Sequence, residues 1–405
     1  MKMRVLFGFL LLSSLFTAQN IRSVQLFNPK TNDETAVIAA GEQLILSFDD
    51  LQNSTRNYRY TIRHLDRNWQ HDDLFYTEIA NGPMNDLITD YRPSFNTLQS
   101  YVHYRLTFPN DKIQPKISGN FELVVYESSP SKPLFTKRFS IYENAAVVAV
   151  SVDRTADARR PDVRQRVQVR AQGAGADFTQ NLSTLSLSVM QNNNPQILIS
   201  NIRPSSTVGN SAVFQQTDIA FPGNNEFYYF DNKNLTAPMD MVARIDSDGG
   251  AYHTWLHPTW AFPLNYQFNP DVNGAFYFRR NDLGIERNPD TEGDYSWVYF
   301  SLESGPVDKE IFVLGQFNDY TPDDESKMHY DDELKMYVAK IYLKQGFYNY
   351  LLATRAPGSE KLDYGEINGN FWQTENLYQA FLYYRPQGRN YDALLGYGEF
   401  RTPVR

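Results

Sequence analysis

Cysteine is absent from the 405-residue sequence, and histidine is scarce, with six residues. Without cysteine the chain has no disulfide bonds, no lipid anchor on a cysteine that follows a signal peptide, no thiolate chemistry and no cysteine-ligated metal. The sequence also lacks the Gly-x-Ser-x-Gly elbow of hydrolases, a phosphate-binding glycine loop and a dinucleotide fingerprint. These absences remove most familiar catalytic arrangements, so we expect a protein that is not an enzyme and needs no cofactor.

Long apolar runs are missing too, apart from one near the N-terminus at residues 5–16. Lys2 and Arg4 precede this run, and the small residues Thr17 and Ala18 follow it, which is the pattern of a secretory signal peptide over residues 1–18. A run of about 12 residues is too short for a membrane span, which needs about 20. Loss of the two cations with the signal changes the net charge from −9 to −11. An acidic, exported protein does not suggest nucleic acid as a partner.

Aromatic residues, by contrast, are abundant: they make up 15% of the chain, with 27 Tyr and 27 Phe. Together with valine and threonine they favour strands, and no long window rich in Ala, Leu, Glu and Lys competes with them. The length allows two to four domains. We therefore predict an all-β protein built from immunoglobulin-like and early-set β-sandwiches in series.

Alternating patterns and turn signals divide the chain into successive segments. In residues 58–65, Tyr58, Tyr60 and Ile62 share one face of a predicted strand, with Arg59 and Arg63 near the other. The predicted divisions are an N-terminal sandwich at 21–143, a middle β-domain at 145–265, a polar linker at 266–292 and a C-terminal early-set-like sandwich at 293–405.

The residue types that carry chemistry do not form a convincing site. His253 and His257 are four residues apart, but Pro258 ends any helix there and no Glu completes a His-Glu-x-x-His zinc motif. Adjacent aspartate pairs occur in apparent turns, where carboxylates are usually solvated, so neither a metal nor a catalytic pair is predicted; these pairs are Asp49-Asp50, Asp72-Asp73, Asp323-Asp324 and Asp331-Asp332.

Exposed aromatic residues are the remaining candidates for a functional role, because tyrosine is favoured in protein interfaces. Residues 344–350 form a predicted core strand, which leaves the segment after it for partner contact. The alternative for these side chains is a place in the core. The candidate partner-binding residues are Trp372, Gln373, Glu375, Asn376, Tyr383 and Tyr384.

Residues 311–320 and 344–350 resemble the early-set sandwich of glycogen-binding modules. In those modules a Gly-x-Phe-Asn-x-Trp turn leads to a Gly-x-Tyr-x-Tyr strand. Here Gly315 to Asn318 match the turn, but Tyr320 stands where the tryptophan is usual. The resemblance implies the fold, and it leaves an exported glycan-binding module as the alternative function.

A wider resemblance covers nearly all of the chain after residue 20. It is similar to the type IX secretion system plug proteins of Bacteroidetes in blocks that include residues 46–51, 58–64, 66–69, 88–91, 94–97, 101–106, 118–121, 373–376, 383–386 and 391–392. The resemblance implies a periplasmic protein on the inner side of the outer membrane. It would bind the outer-membrane translocon β-barrel, with one copy per translocon, and occlude the barrel's periplasmic opening.

Overall fold

The computed structural model describes residues 20–31, 34–155, 163–174, 181–261, 263, 265–385 and 388–403. The predicted signal peptide at 1–18 lies outside these residues. No helix within the described ranges is long and apolar enough to cross a membrane. Strands dominate, so the predicted all-β fold with sandwich domains is confirmed.

The first sandwich packs a sheet of order β1-β3-β8-β7 against one of order β2-β11-β10-β4-β6, while β5 pairs with β9. Its strands and helix are β1 (Ile21–Phe27), β2 (Val37–Ala39), β3 (Leu44–Asp50), β4 (Arg59–Leu65), α1 (Tyr76–Ile79), β5 (Ala80–Asn81), β6 (Asp86–Leu87), β7 (Asp90–Pro93), β8 (Val102–Phe108), β9 (Gln114–Pro115), β10 (Gly119–Tyr126) and β11 (Phe135–Tyr142). Tyr60 and Ile62 of β4 enter the core, as the alternating pattern predicts.

The next segment supplies one whole sheet and half of another. Its elements are β12 (Ala146–Arg154), β13 (Arg164–Gly173), a 3-10 helix (Leu182–Thr184), β14 (Leu185–Gln191), β15 (Asn194–Ile202), β16 (Ser206–Val208), β17 (Ser211–Phe214) and β18 (Ala220–Pro222). Strands β12-β13-β17-β16 form a sheet, with β18 added to β13, and β15 pairs with β14. The other side of β14 needs a partner from elsewhere in the chain.

The third sandwich is one eleven-stranded sheet with its own apolar core. Eight of its strands follow the path β19-β30-β27-β28-β29-β26-β21-β20, while β22 pairs with β26, and β23 and β31 pair with β30. Strands β24 and β25 form a separate hairpin. The elements are β19 (Tyr228–Asp231), β20 (Val242–Ser247), β21 (Tyr252–Leu256), β22 (Thr259–Trp260), β23 (Phe276–Phe278), β24 (Arg280–Asp282), β25 (Ile285–Arg287), α2 (Pro289–Glu292), β26 (Tyr295–Glu303), β27 (Glu310–Leu314), a 3-10 helix (Gln316–Asn318), β28 (Lys327–Asp331), β29 (Met336–Lys344), β30 (Gly346–Arg355) and β31 (Leu362–Asp363).

The last two strands, β32 (Leu377–Tyr384) and β33 (Ala393–Arg401), return to the middle of the chain. They complete the sheet β15-β14-β32-β33, and Leu187 of β14 lies opposite Leu382 of β32. Both leucines are fully buried in the core of the middle sandwich. This sandwich is therefore built from two parts of the chain, with the third sandwich inserted between them.

The predicted divisions after residue 145 differ from this architecture. Residues 228–260 belong to the third sandwich, residues 377–401 belong to the middle one, and the predicted linker at 266–292 contains β23, β24, β25 and α2. An alternating pattern identifies a strand and its buried face. It carries no information on which distant strand will be the neighbour, so the return of the C-terminal hairpin was not predicted.

Candidate partner-binding surface

Two of the predicted partner-binding residues lie inside the protein. Asn376 is buried just before β32, where its Nδ2 donates to the Gly223 oxygen at 2.9 Å and its Oδ1 accepts from Asn192 Nδ2 at 2.7 Å. The buried Tyr383 hydroxyl donates to Asn120 Oδ1 of the first sandwich at 3.0 Å. Both side chains are buried and bond to other parts of this chain, which argues against partner contact by Asn376 and Tyr383.

The other four candidates are partly exposed. The Trp372 ring lies under the Arg154 guanidinium, 5.0 Å from the ring centroid. Glu375 accepts from Asn273 Nδ2 and Arg401 Nη1, each at 3.1 Å. Gln373 and Tyr384 are half-buried. Partner contact by Trp372, Gln373, Glu375 and Tyr384 stays a prediction.

The Tyr383 contact leads to a modest, measurable expectation. Tyr383→Phe removes a buried hydrogen bond between the first and middle sandwiches and should lower the free energy of unfolding by about 1 kcal/mol. Asn120 Oδ1 keeps the Ser140 hydroxyl as a donor at 2.8 Å, which limits the loss. Urea denaturation checks the value, with Tyr384→Phe as the matched control. Equal stability of both variants would contradict the assigned role.

A buried ionic cluster joins the first and third sandwiches. The Lys344 ammonium lies 2.7 Å from Asp49 Oδ2, and both side chains are almost completely buried. His103 Nδ1 donates to Asp49 Oδ1 at 2.7 Å, and the Tyr295 hydroxyl donates to Asp49 Oδ2 at 2.6 Å. Burial alone would raise the pKa of Asp49, but Lys344 and His103 hold it below its ordinary value. The carboxylate therefore stays ionised and fixes the relative position of the two domains.

Backbone contacts beside this cluster fix two surface segments to each other. The Asp294 carboxylate accepts from the amides of Leu98 and Gln99, with the Gln99 contact at 3.0 Å. The Phe95 amide donates to the Thr291 oxygen at 2.8 Å. Arg280 Nη1 donates to the Asn96 backbone oxygen at 3.1 Å, which attaches the base of the β24–β25 hairpin to residues 94–99.

Large apolar side chains project from residues 91–98 and from the β24–β25 hairpin. We call this set the junction surface, and its members with their exposed fractions are Tyr91 (45%), Phe95 (72%), Leu98 (41%), Leu283 (92%) and Ile285 (56%). Leu283 and Gly284 both have positive φ, at 53° and 85°, as in the two-residue turns of tight hairpins. Leucine is an uncommon residue at such a position. A nearly fully exposed leucine there makes the hairpin tip a candidate contact site.

A separate group of aromatic and cationic side chains is relevant to the alternative function of glycan binding. Arg244, Trp255, Tyr299 and Lys340 are cross-strand neighbours on β20, β21, β26 and β29. The Arg244 guanidinium lies 3.7 Å from the Trp255 centroid, and Tyr299 stacks on Trp255 at 4.9 Å. Both faces of Trp255 are therefore covered and cannot stack on a sugar. Tyr320, at the position of the usual tryptophan, is buried and its hydroxyl donates to the Asn192 oxygen at 3.1 Å.

The junction surface was missed in the sequence because its parts are distant along the chain. Residues 94–97 were noted as one of the family blocks, and residues 280–287 fell in the predicted linker. A Leu-Gly pair at a hairpin turn, where Asn-Gly is usual, was the one local signal that could have identified the exposed tip.

Comparison with known proteins identifies a family for the N-terminal sandwich and a similar fold for nearly the whole chain. Residues 21–143 match the model of the type 9 secretion system plug protein first domain, and these are the residues predicted for the N-terminal sandwich. No curated protein matches the chain. A crystal structure of a hypothetical protein from Parabacteroides merdae superposes with a TM-score of 0.89 at 30% identity, covering 95% of this chain and 97% of the other. Salmonella alpha-2-macroglobulin gives a TM-score of 0.20 at 10% identity, covering 95% of this chain and 27% of the other, which is too low to indicate a shared fold.

Proposed function

The chain belongs to the type 9 secretion system plug protein family, and we propose that it occludes the periplasmic opening of the outer-membrane translocon barrel of that system. The family indicates a secretion-related role in the cell envelope. With the all-β fold, it also indicates a non-catalytic protein. The finer proposal is that the junction surface contacts the barrel protein, with one copy of this chain per translocon.

The main support is the junction surface itself. A plug has to hold a rigid shape against a rim, and the junction surface is carried by two domains that a buried ion pair locks together. Its apolar and aromatic side chains are the types that dominate the energetically important centres of protein interfaces. Export through the predicted signal at residues 1–18 would bring the protein to the periplasm, where this surface can reach the barrel.

The proposal is tested by co-purification with the barrel. Tagged protein is expressed in the native host and recovered from detergent-solubilised outer membranes, where we expect a large β-barrel protein to accompany it. Phe95→Asp combined with Leu283→Asp places two charges in the contact and should weaken binding roughly 100-fold or more. Recovery is measured by quantitative mass spectrometry.

Leu334→Asp is the matched control, because Leu334 is 57% exposed at another turn of the third sandwich. This control should bind as the parent does, and circular dichroism should show that all variants are folded. Failure of the parent protein to recover a barrel would refute the plug proposal. Recovery of the barrel by the double variant at the parental level would refute the junction surface as the contact and leave plugging itself intact.

A further inference from the structure

Three carboxylates meet where the third sandwich joins the C-terminal hairpin. Glu226 precedes β19, Asp271 precedes β23, and Glu375 lies two residues before β32. Glu226 Oε1 accepts from the Glu375 amide at 3.1 Å, which is a direct bond between the third sandwich and the segment that leads into the middle one. The Tyr266 hydroxyl donates to the same oxygen at 2.5 Å.

Little positive charge compensates this cluster. Among the described residues, Arg401 is the cation that pairs with this cluster; it lies 3.1 Å from Glu375, and its side chain is half exposed. Asp271 accepts instead from the amides of Phe227 and Asn273. Glu226 is 6% exposed, and its Oε2 is buried with no hydrogen-bond partner among the residues that the structure describes. An ionised carboxylate in that position would bury a largely uncompensated charge, whereas a protonated one would be neutral.

Burial favours the protonated forms of Glu226 and Asp271. It raises the pKa of Glu226 to about 7, with the charges of Asp271 and Glu375 adding to the effect. Burial likewise raises the pKa of Asp271 to about 6, against the two amide hydrogen bonds. Within the described residues no group of three or more His, Asp or Glu side chains is arranged to hold a metal ion. A proton is therefore the neutralising species that the geometry accommodates.

We propose that Glu226, Asp271 and Glu375 form a proton-dependent latch that fastens the third sandwich to the C-terminal hairpin and loosens when Glu226 ionises. Ionisation places a second and third negative charge in one buried space beside a single half-exposed arginine. The repulsion between these charges is reduced most easily when residues 371–376 separate from the third sandwich, because the carboxylates are then exposed to water. Two of the three large domains would then move relative to each other at alkaline pH.

The direction of the pH effect on latch opening follows from the linkage between protonation and conformation. A carboxyl whose pKa is higher in the closed state than in the open state stabilises the closed state most at low pH, and the advantage is lost as pH rises from 4.5 towards 7. For a Glu226 pKa of about 7 against 4.5 in the open state, the open fraction should rise about 25-fold between about pH 5.5 and 8. Asp271, with a pKa of about 6 against 3.8, adds about fourfold.

Amide hydrogen exchange of the full-length protein tests the latch. Exchange in the peptide that contains residues 371–376 is measured by mass spectrometry at both pH values and corrected for the intrinsic rate. The parent should show the large rise in opening, and Glu226→Gln, which cannot ionise, should show no more than the roughly fourfold rise left to Asp271. Glu333→Gln, at an exposed turn, is the control and should behave as the parent.

Equal pH dependence of the parent and Glu226→Gln would overturn the latch, and so would the absence of any rise in the parent. If Glu226→Gln fails to fold, the infrared carbonyl band of a protonated carboxyl serves instead. This band should be present in the parent at about pH 5.5 and lost by about pH 8, and its absence at the lower pH would refute the proposal. The latch concerns isolated protein, so its failure leaves the plug proposal unaffected.

Discussion

Replacing Lys344 with alanine should lower the free energy of unfolding by about 3–5 kcal/mol, because it leaves Asp49 buried, ionised and without its cation. The two atoms of the pair are 2.7 Å apart, and the exposed fractions of the side chains are 1% and 0%. Lys344 also lies over the Tyr101 ring, 4.3 Å from its centroid, so packing is lost together with charge. Guanidinium denaturation followed by tryptophan fluorescence measures the effect.

The matched control removes both charges. Asp49→Asn with Lys344→Met leaves no uncompensated ion and should recover most of the stability, since replacing a buried ion pair by neutral side chains is often close to neutral. Because the pKa of Asp49 is lowered, the contribution of the pair is present above pH 3.8 and is lost only in more acidic solution. A loss below about 1 kcal/mol for Lys344→Ala would show that the pair behaves like an exposed salt bridge.

The same pair shows why sequence patterns could not predict how the domains pack together. Asp49 and Asp50 were interpreted as a solvated acidic turn, because adjacent carboxylates usually lie in exposed loops. In the structure both end a buried strand, where Lys344 neutralises Asp49 and the Tyr58 hydroxyl donates to Asp50 at 2.7 Å. Local composition cannot identify a cation that lies some three hundred residues further along the chain.

The candidate site was predictable only in part, for a related reason. The family blocks included Asn376 and Tyr383. Asn376 bonds within the middle sandwich, and Tyr383 joins this sandwich to the first one. Short-range patterns detect residues that are constrained, whether the constraint comes from a partner or from the protein's own interior. The junction surface depends on the contact between Asn96 and Arg280 at the base of the β24–β25 hairpin, which follows from the docking of two domains rather than from either segment alone.

Because the C-terminal hairpin returns to the middle sandwich, we expect a second large loss of stability when the core between the two is disrupted. Leu187 and Leu382 face each other across β14 and β32 and are both fully buried. Each Leu→Ala substitution should cost about 2–5 kcal/mol, because it removes buried methyl groups and leaves a cavity. The midpoints and slopes of urea denaturation measure these losses.

The double variant decides whether the two segments form one core. If they share it, the cavities merge and the loss in the double variant should differ from the sum of the single losses by about 0.5–3 kcal/mol. Leu123 of the first sandwich is equally buried in a different core, so Leu187→Ala with Leu123→Ala should be additive within about 0.5 kcal/mol. Additivity for Leu187 and Leu382 as well would contradict a shared core, because it would mean that the two side chains do not pack against a common cavity.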